Sequence, residues 1–163
     1  MSSGKLSVDA FIEIPKGSQN KYEFDKEAGV FRLDRVLYSP MHYPTEYGYI
    51  QNTLAEDGDP LDVLVLTSFP TFPGCVIETR VVGVLVMSDD KGQDEKLLGV
   101  AETDPRFSHV QTLDDVPPHI LKEIAHFFEV YKDLEGKETK IEGWKGRDDA
   151  ERILQESIQR YKG

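Results

Sequence analysis

The densest chemical signal in the chain is six consecutive residues, Asp57-Gly58-Asp59-Pro60-Leu61-Asp62. Three carboxylates share a turn that leads straight into the apolar run 61–67. Two carboxylates about 4 Å apart repel by roughly 4 kcal/mol at an effective dielectric near 20. A convergent cluster therefore needs protons or cations, and hard oxygen ligands select Mg2+, Ca2+ or Mn2+. The same residues also fit a solvated turn, and a motif this short does not decide between the two. An EF-hand does not fit, because Ser68 stands where that loop's last ligand should be Glu.

A second acidic segment, with Asp89, Asp90 and Asp94, reads as a loop after a long strand, and alone it fits an ordinary charged hairpin tip. Cations and phenols form a third group. Lys21 and Glu23 flank Tyr22 and fall on one face of a strand, because strand side chains alternate. Asp34-Arg35 interrupts an otherwise apolar strand. Tyr43, Tyr47 and Tyr49 crowd a turn-rich loop, and Tyr131-Lys132 closes a helix. Each has a structural alternative: strand edge, surface salt bridge, aromatic core, or partner of a helix dipole.

The elements that must position these groups change character along the chain. Residues 8–14, 22–24 and 30–38 are rich in β-branched and aromatic residues and read as strands. Residues 61–67 have the continuous apolar pattern of a buried strand. Residues 76–87 form a longer strand with Gly83 as a bulge or bend, and 97–100 another. The last third is helical. Ile120, Leu121, Ile124, Phe127, Phe128 and Tyr131 recur at helical spacing after Pro117-Pro118, with Gly136 near the end. Asp148 with Glu151 has capping-box spacing ahead of Ile153, Leu154, Ile158 and Tyr161. Strands followed by helices indicate an α+β fold, a small closed barrel with helices outside.

The 163 residues suit one domain, 1–163, and 39% hydrophobic content suits a packed core. A net charge of −11 disfavours binding to a phosphate backbone, yet bound divalent cations can invert the sign locally. Cys75 is the one cysteine, so no intrachain disulfide is implied. Lys5, Asp9 and Glu13 interrupt the N-terminus, no stretch is apolar enough to span a bilayer, and a cytoplasmic location is expected.

These motifs in this order closely resemble the soluble family I inorganic pyrophosphatases. The resemblance runs almost end to end. It is strongest in 11–15, 20–25, 33–35, Tyr43-Pro44, 47–49, the 57–62 signature, 89–96, 125–129, Tyr131-Lys132 and 142–144. It implies a five-stranded OB-like closed β-barrel with additional strands and two flanking helices. It also implies hydrolysis of inorganic pyrophosphate to two phosphates, with several Mg2+ ions per site and Mn2+ as a substitute. By position, Asp57, Asp62, Asp89, Asp94 and Glu23 would hold metal, with Glu13 orienting waters. Asp59 matches the general base, and Lys21, Arg35, Tyr47, Tyr131 and Lys132 match the phosphate-binding groups. Tyr43 and Lys96 would also line the site. Asp90 stands where some relatives carry Glu, so its carboxylate reaches less far. Val130 stands where some bacterial members have an interface histidine, although His126 is kept. Bacterial-length members are commonly hexamers, so a homo-oligomer is implied. Two rivals remain at this stage: an OB-fold module binding single-stranded nucleic acid, and a metal-dependent phosphatase of organic phosphates.

Overall fold

The computed structural model describes residues 6–163; Lys5, used above in reading the N-terminus, lies outside them. Eight strands and two α-helices follow in order: β1 (Ser7–Ile14), β2 (Asn20–Asp25), β3 (Val30–Val36), β4 (Glu46–Tyr49), β5 (Asp62–Leu66), β6 (Val76–Asp89), β7 (Gly92–Ala101), α1 (Pro118–Val130), β8 (Lys140–Gly146) and α2 (Arg147–Lys162).

Five strands close on themselves. β1 pairs with β4, β4 with β5, β5 with β7, β7 with β6, and β6 returns to β1. Among the described residues, β5 and β7 are the one parallel pair. The long β6 makes closure possible by dividing one edge between two partners. Residues near its start pair with β1, and Gly83 to Ser88 pair with β8. The register shifts between Val81 and Gly83, as a bulge there should make it do. A Cβ on Gly83 would approach the Lys145 carbonyl oxygen to 2.9 Å, so glycine is needed for the contact. The β2–β3 hairpin forms its own two-stranded sheet.

Both faces of the central strands are buried, which explains their continuous apolar runs. Val63 and Val65 join a cluster with Ala150, Ile153 and Leu154 of α2. Their alternating neighbours Leu64 and Leu66 join another with Ile124, Phe127 and Phe128 of α1. Burying each such side chain contributes about 1.5–3 kcal/mol. Thr139 Oγ1 donates to the carbonyls of Phe128 and Glu129, satisfying the end of α1. Trp144 Nε1 donates to Leu121 O at 3.2 Å and ties β8 to the same helix.

Several elements differ from the sequence reading. Residues 46–49, taken with a turn-rich loop, are strand β4. The acidic segment is a loop only at its tip, because Asp89 ends β6 and Asp94 lies inside β7, which starts at Gly92 rather than 97. β8 has no counterpart in that reading. α2 begins at Arg147 with Gly146 as its N-cap, so Asp148 sits in the first turn and the Asp148–Glu151 capping box does not form. Among the described residues no helix is long and apolar enough to cross a membrane.

Candidate active site

A cleft of about 700 Å³ opens where β4 ends, β5 begins and the β6–β7 hairpin turns. Glu13, Lys21, Glu23, Arg35, Tyr47, Asp57, Asp59, Asp62, Asp89, Asp90, Asp94, Lys96, Tyr131 and Lys132 all line it. Residues as far apart in sequence as Glu13 and Lys132, 119 positions, therefore share one cavity because the barrel closes. Tyr43 is the exception. It is 1% exposed and stands behind the cleft, edge-on to Tyr47 at 5.5 Å between centroids. Its hydroxyl-bearing ring is packing for Tyr47 and Phe127 rather than cleft wall.

Register explains much of this convergence. Asp62 lies opposite Tyr49 on β4 and opposite Lys96 on β7. Tyr47, two residues from Tyr49, shares its face, and its hydroxyl donates to Asp62 Oδ2 at 3.0 Å. The β1–β4 register shifts between Ile12 and Ile14, and this bulge falls at Glu13. Glu13 Oε2 accepts from the Phe24 backbone N at 2.9 Å, linking the barrel to the β2–β3 hairpin. On that hairpin Lys21 pairs directly with Arg35, and Lys21 Nζ lies 3.4 Å from Glu23 and from Asp34. The shared face read for Lys21 and Glu23 is thus present.

The acidic part of the cleft is built around Lys96. Its ammonium is 1% exposed, 2.9 Å from Asp62, 3.2 Å from Asp94 and 2.9 Å from the Tyr47 hydroxyl. It also sits 5.0 Å above the Tyr47 ring and 5.1 Å from that of Phe128. Burial opposes its charge, but the carboxylates of Asp62 and Asp94 outweigh burial and hold its pKa well above the usual lysine range. Burial pushes the Asp94 carboxyl up, with Asp62 adding to the rise against Lys96. Asp57 is raised by burial and by the charges of Asp94 and Asp59. Glu13 is pushed up to about 7, mainly by burial, with Asp62 and Glu23 adding. The acids therefore exceed what Lys96 can neutralise.

The cations gather as well. Burial lowers the pKa of Lys132, and the like charges of Lys21, Arg35 and Lys96 lower it further against the pull of Asp89. Cations that repel one another across a cleft favour an anion between them. Burial raises Tyr131 to about 12 and Tyr47 well above the usual phenol range, so both keep their protons and donate hydrogen bonds.

A divalent cation fits these donors in chemical type: oxygen ligands with raised pKa values and surplus negative charge. Among the described residues, no three Asp, Glu, His or Cys side chains form a ready-made cage for one. Mg2+ needs none, since it commonly keeps several waters and takes one or two carboxylates with substrate phosphates. The sequence reading missed Lys26, Arg32, Lys91 and Lys137, which also line the cleft, and Glu135 behind Arg35. Isolated charged residues carry no periodic signal that would have found them.

Comparison with known proteins agrees with this architecture. Residues 10–162 match the family model described as inorganic pyrophosphatase. The inorganic pyrophosphatase of Geobacillus stearothermophilus is 66% identical over 154 residues, covering 94% of this chain and 93% of that protein. The one from Methanosarcina acetivorans is 60% identical, covering 92% and 89%. The crystal structure of inorganic pyrophosphatase from Thermus thermophilus superposes with a TM-score of 0.94 at 49% identity, covering 100% of this chain and 95% of that one. With a family model spanning nearly all of it and relatives this similar in both sequence and backbone, the chain belongs to the inorganic pyrophosphatases.

Proposed function

We propose that the chain hydrolyses inorganic pyrophosphate to two orthophosphates in this cleft, with Mg2+ as cofactor. The observation that carries the reading is the meeting, in one cavity, of surplus carboxylates with mutually repelling cations. Asp57, Asp62, Asp89, Asp94 and Glu23 would hold the metal. Bound Mg2+ would supply Lewis acidity, lowering the pKa of water and offsetting charge on the phosphoryl oxygens. Lys21, Arg35 and Lys132 bind phosphate oxygens through charge-assisted hydrogen bonds. Tyr47 and Tyr131 add neutral donors. The one proton of Tyr47 now goes to Asp62, so it turns to phosphate only when that carboxylate is otherwise engaged.

Asp59 is exposed, and its carboxylate accepts no hydrogen bond from another described residue, while its backbone N donates to Asp57 Oδ1 at 3.0 Å. A carboxylate with free oxygens in a fixed turn suits the base that takes a proton from the attacking water. Glu13, fixed through Phe24, orients water nearby, and Asp90 and Lys96 support the metal-binding acids. No serine, cysteine or histidine nucleophile is required.

The reading extends to a homo-oligomer, a hexamer by family resemblance, in the cytoplasm and with no role for nucleic acid or a membrane. Exposed apolar side chains at Phe69, Phe72 and Val76 support self-association, which analytical ultracentrifugation would measure. The direct test of activity is phosphate release from pyrophosphate with and without Mg2+, beside nucleotide and sugar-phosphate substrates. Metal-dependent release from pyrophosphate is expected to dominate. Equal turnover of the organic phosphates would sink the substrate assignment.

A further inference from the structure

Glu135 has no part in the machinery described so far, yet it occupies an unusual position. It ends a short 3-10 turn, Asp133–Glu135, that follows Tyr131 and Lys132. The backbone of this turn is satisfied without the side chain: Glu135 N donates to Lys132 O, and Gly136 N to Asp133 O, both at 3.0 Å. The side chain is nevertheless only 6% exposed, with Oε1 at 2.5 Å from Arg35 Nη1 and Oε2 buried without a hydrogen-bond partner. A buried carboxylate with one oxygen unsatisfied is a poor way to stabilise a fold, because desolvation offsets most of the ionic attraction. What the arrangement does provide is geometry.

Arg35 is held at two points. Its Nε donates to Asp34 Oδ2 at 2.8 Å and its Nη1 to Glu135. A guanidinium has five N–H donors in one plane. These two bonds fix that plane and leave the Nη2 pair and the second Nη1 hydrogen without acceptors among the described residues. Asp34 belongs to the same hairpin as Arg35 and moves with it. Glu135 belongs to the segment that carries Tyr131 and Lys132, 100 residues away. It is therefore the contact that sets Arg35 in register with the other phosphate ligands.

We infer that Glu135 is a positioning residue for Arg35, holding the guanidinium so that its remaining donors meet a phosphate in common with Lys132 and Tyr131. The inference rests on the proposed role of Arg35 in binding phosphate. It makes reach, rather than charge, the property that matters. Glu135→Asp keeps the charge but withdraws the carboxylate by one methylene, whereas Glu135→Gln keeps the reach and an accepting oxygen but loses the charge.

The test is steady-state hydrolysis of magnesium pyrophosphate by the full chain, with melting temperatures on the same samples. Because a misplacement of about 1 Å can lower rates by as much as ~100-fold, Glu135→Asp is expected to reduce kcat/KM at least tenfold. Glu135→Gln should stay within about threefold of wild type, since its oxygen still accepts from Nη1. In an Arg35→Lys background, Glu135→Asp should have less than about a twofold effect, because the group it positions is gone. Wild-type kcat/KM in Glu135→Asp, or an equal loss in both backgrounds, overturns the positioning role. Should Arg35→Lys alone match wild type, the phosphate role of Arg35 falls first and the inference with it. Should Glu135→Asp fail to fold, a Glu135→Gln variant impaired tenfold or more with an unchanged melting temperature would equally overturn it, since reach would then not suffice.

Discussion

Lys96 shows how a charged side chain can be one of the most buried residues in a protein. Taken out of water alone, its ammonium would lose its proton. Two carboxylates and a phenol surround it instead, and it stays charged. Asp59 is its opposite, an exposed acid with nothing to hold. If Asp59 is the base, Asp59→Asn should lower kcat by roughly 10²- to 10⁴-fold with the fold intact. Near-normal turnover at saturating Mg2+ would remove it from that role. Glu13 yields a prediction about stability. Burial raises it in the folded protein to about 7 from an ordinary value of 4.5. Below pH 4.5 both states hold the proton and the group contributes nothing. As pH rises, the unfolded chain releases its proton first, so stability falls through this window and the full loss is present above about 7. The loss amounts to as much as about 3 kcal/mol. Glu13→Gln cannot ionise, so urea unfolding in chelator should show a smaller drop between pH 5 and pH 8 than wild type. An identical drop would mean that Glu13 ionises freely in the folded protein.

At the scale of elements, what could be read were the stretches where one rule dominates. The β-branched and aromatic content of β1, the buried apolar run of β5, the long strand β6 and the helical spacing of α1 all correspond to observed elements. The misses fall where tertiary contacts override local preference. β7 starts five residues before its apolar run because residues 92–96 pair in register with the end of β6, and a polar run in sequence looks like a loop. β8 has two internal positions filled by glycine or lysine around Trp144, and it exists because an edge of β6 is free to take it. Residue roles in the site came from family motifs, while Glu135, outside them, needed the fold to reveal its partner. β4 is the sharpest case. It is four residues long and contains Gly48, which alone argues against a strand. Yet a Cβ at Gly48 would collide with the Phe11 carbonyl oxygen, so glycine is what permits the β1–β4 approach. Gly48→Ala should therefore destabilise the protein by about 3 kcal/mol or more. That corresponds to a fall in melting temperature of roughly 6–12 °C, and activity should fall with it because Tyr47 is adjacent. Gly146→Ala, where a Cβ meets nothing within 4 Å, is the control. Equal melting temperatures for the two variants would refute the close-approach argument.

For the molecule as a whole, charge is distributed rather than merely abundant. The chain carries −11, but the cleft is lined by ten Asp and Glu against eight Lys and Arg, so most of the excess lies elsewhere. An anionic substrate can thus enter a protein that would repel it on net charge alone. The acids that remain under-neutralised, Asp57 and Asp94 among them, are those whose burial and neighbours raise their pKa values. A cation bound there stabilises the folded state alone, because the unfolded chain does not bring 57, 62 and 94 together. At a concentration 100 times its dissociation constant the gain is about 2.7 kcal/mol. For a chain of this length that is a rise of roughly 5–11 °C in melting temperature. Mg2+ should produce this rise, while Na+ at matched ionic strength should not, which separates binding from screening of the net charge. Asp62→Asn is the informative variant, because Asn keeps an acceptor for Tyr47 and fills the same volume, whereas Ala would strip a partner from Lys96 and leave a cavity. Its melting temperature without metal can fall for that reason, so the quantity to compare is the increment produced by Mg2+. The increment should shrink by more than half in Asp62→Asn and persist in Asp149→Asn, a change on the exposed start of α2. An undiminished increment in Asp62→Asn would place the stabilising cation away from the 57–62 turn and remove that turn from the metal site.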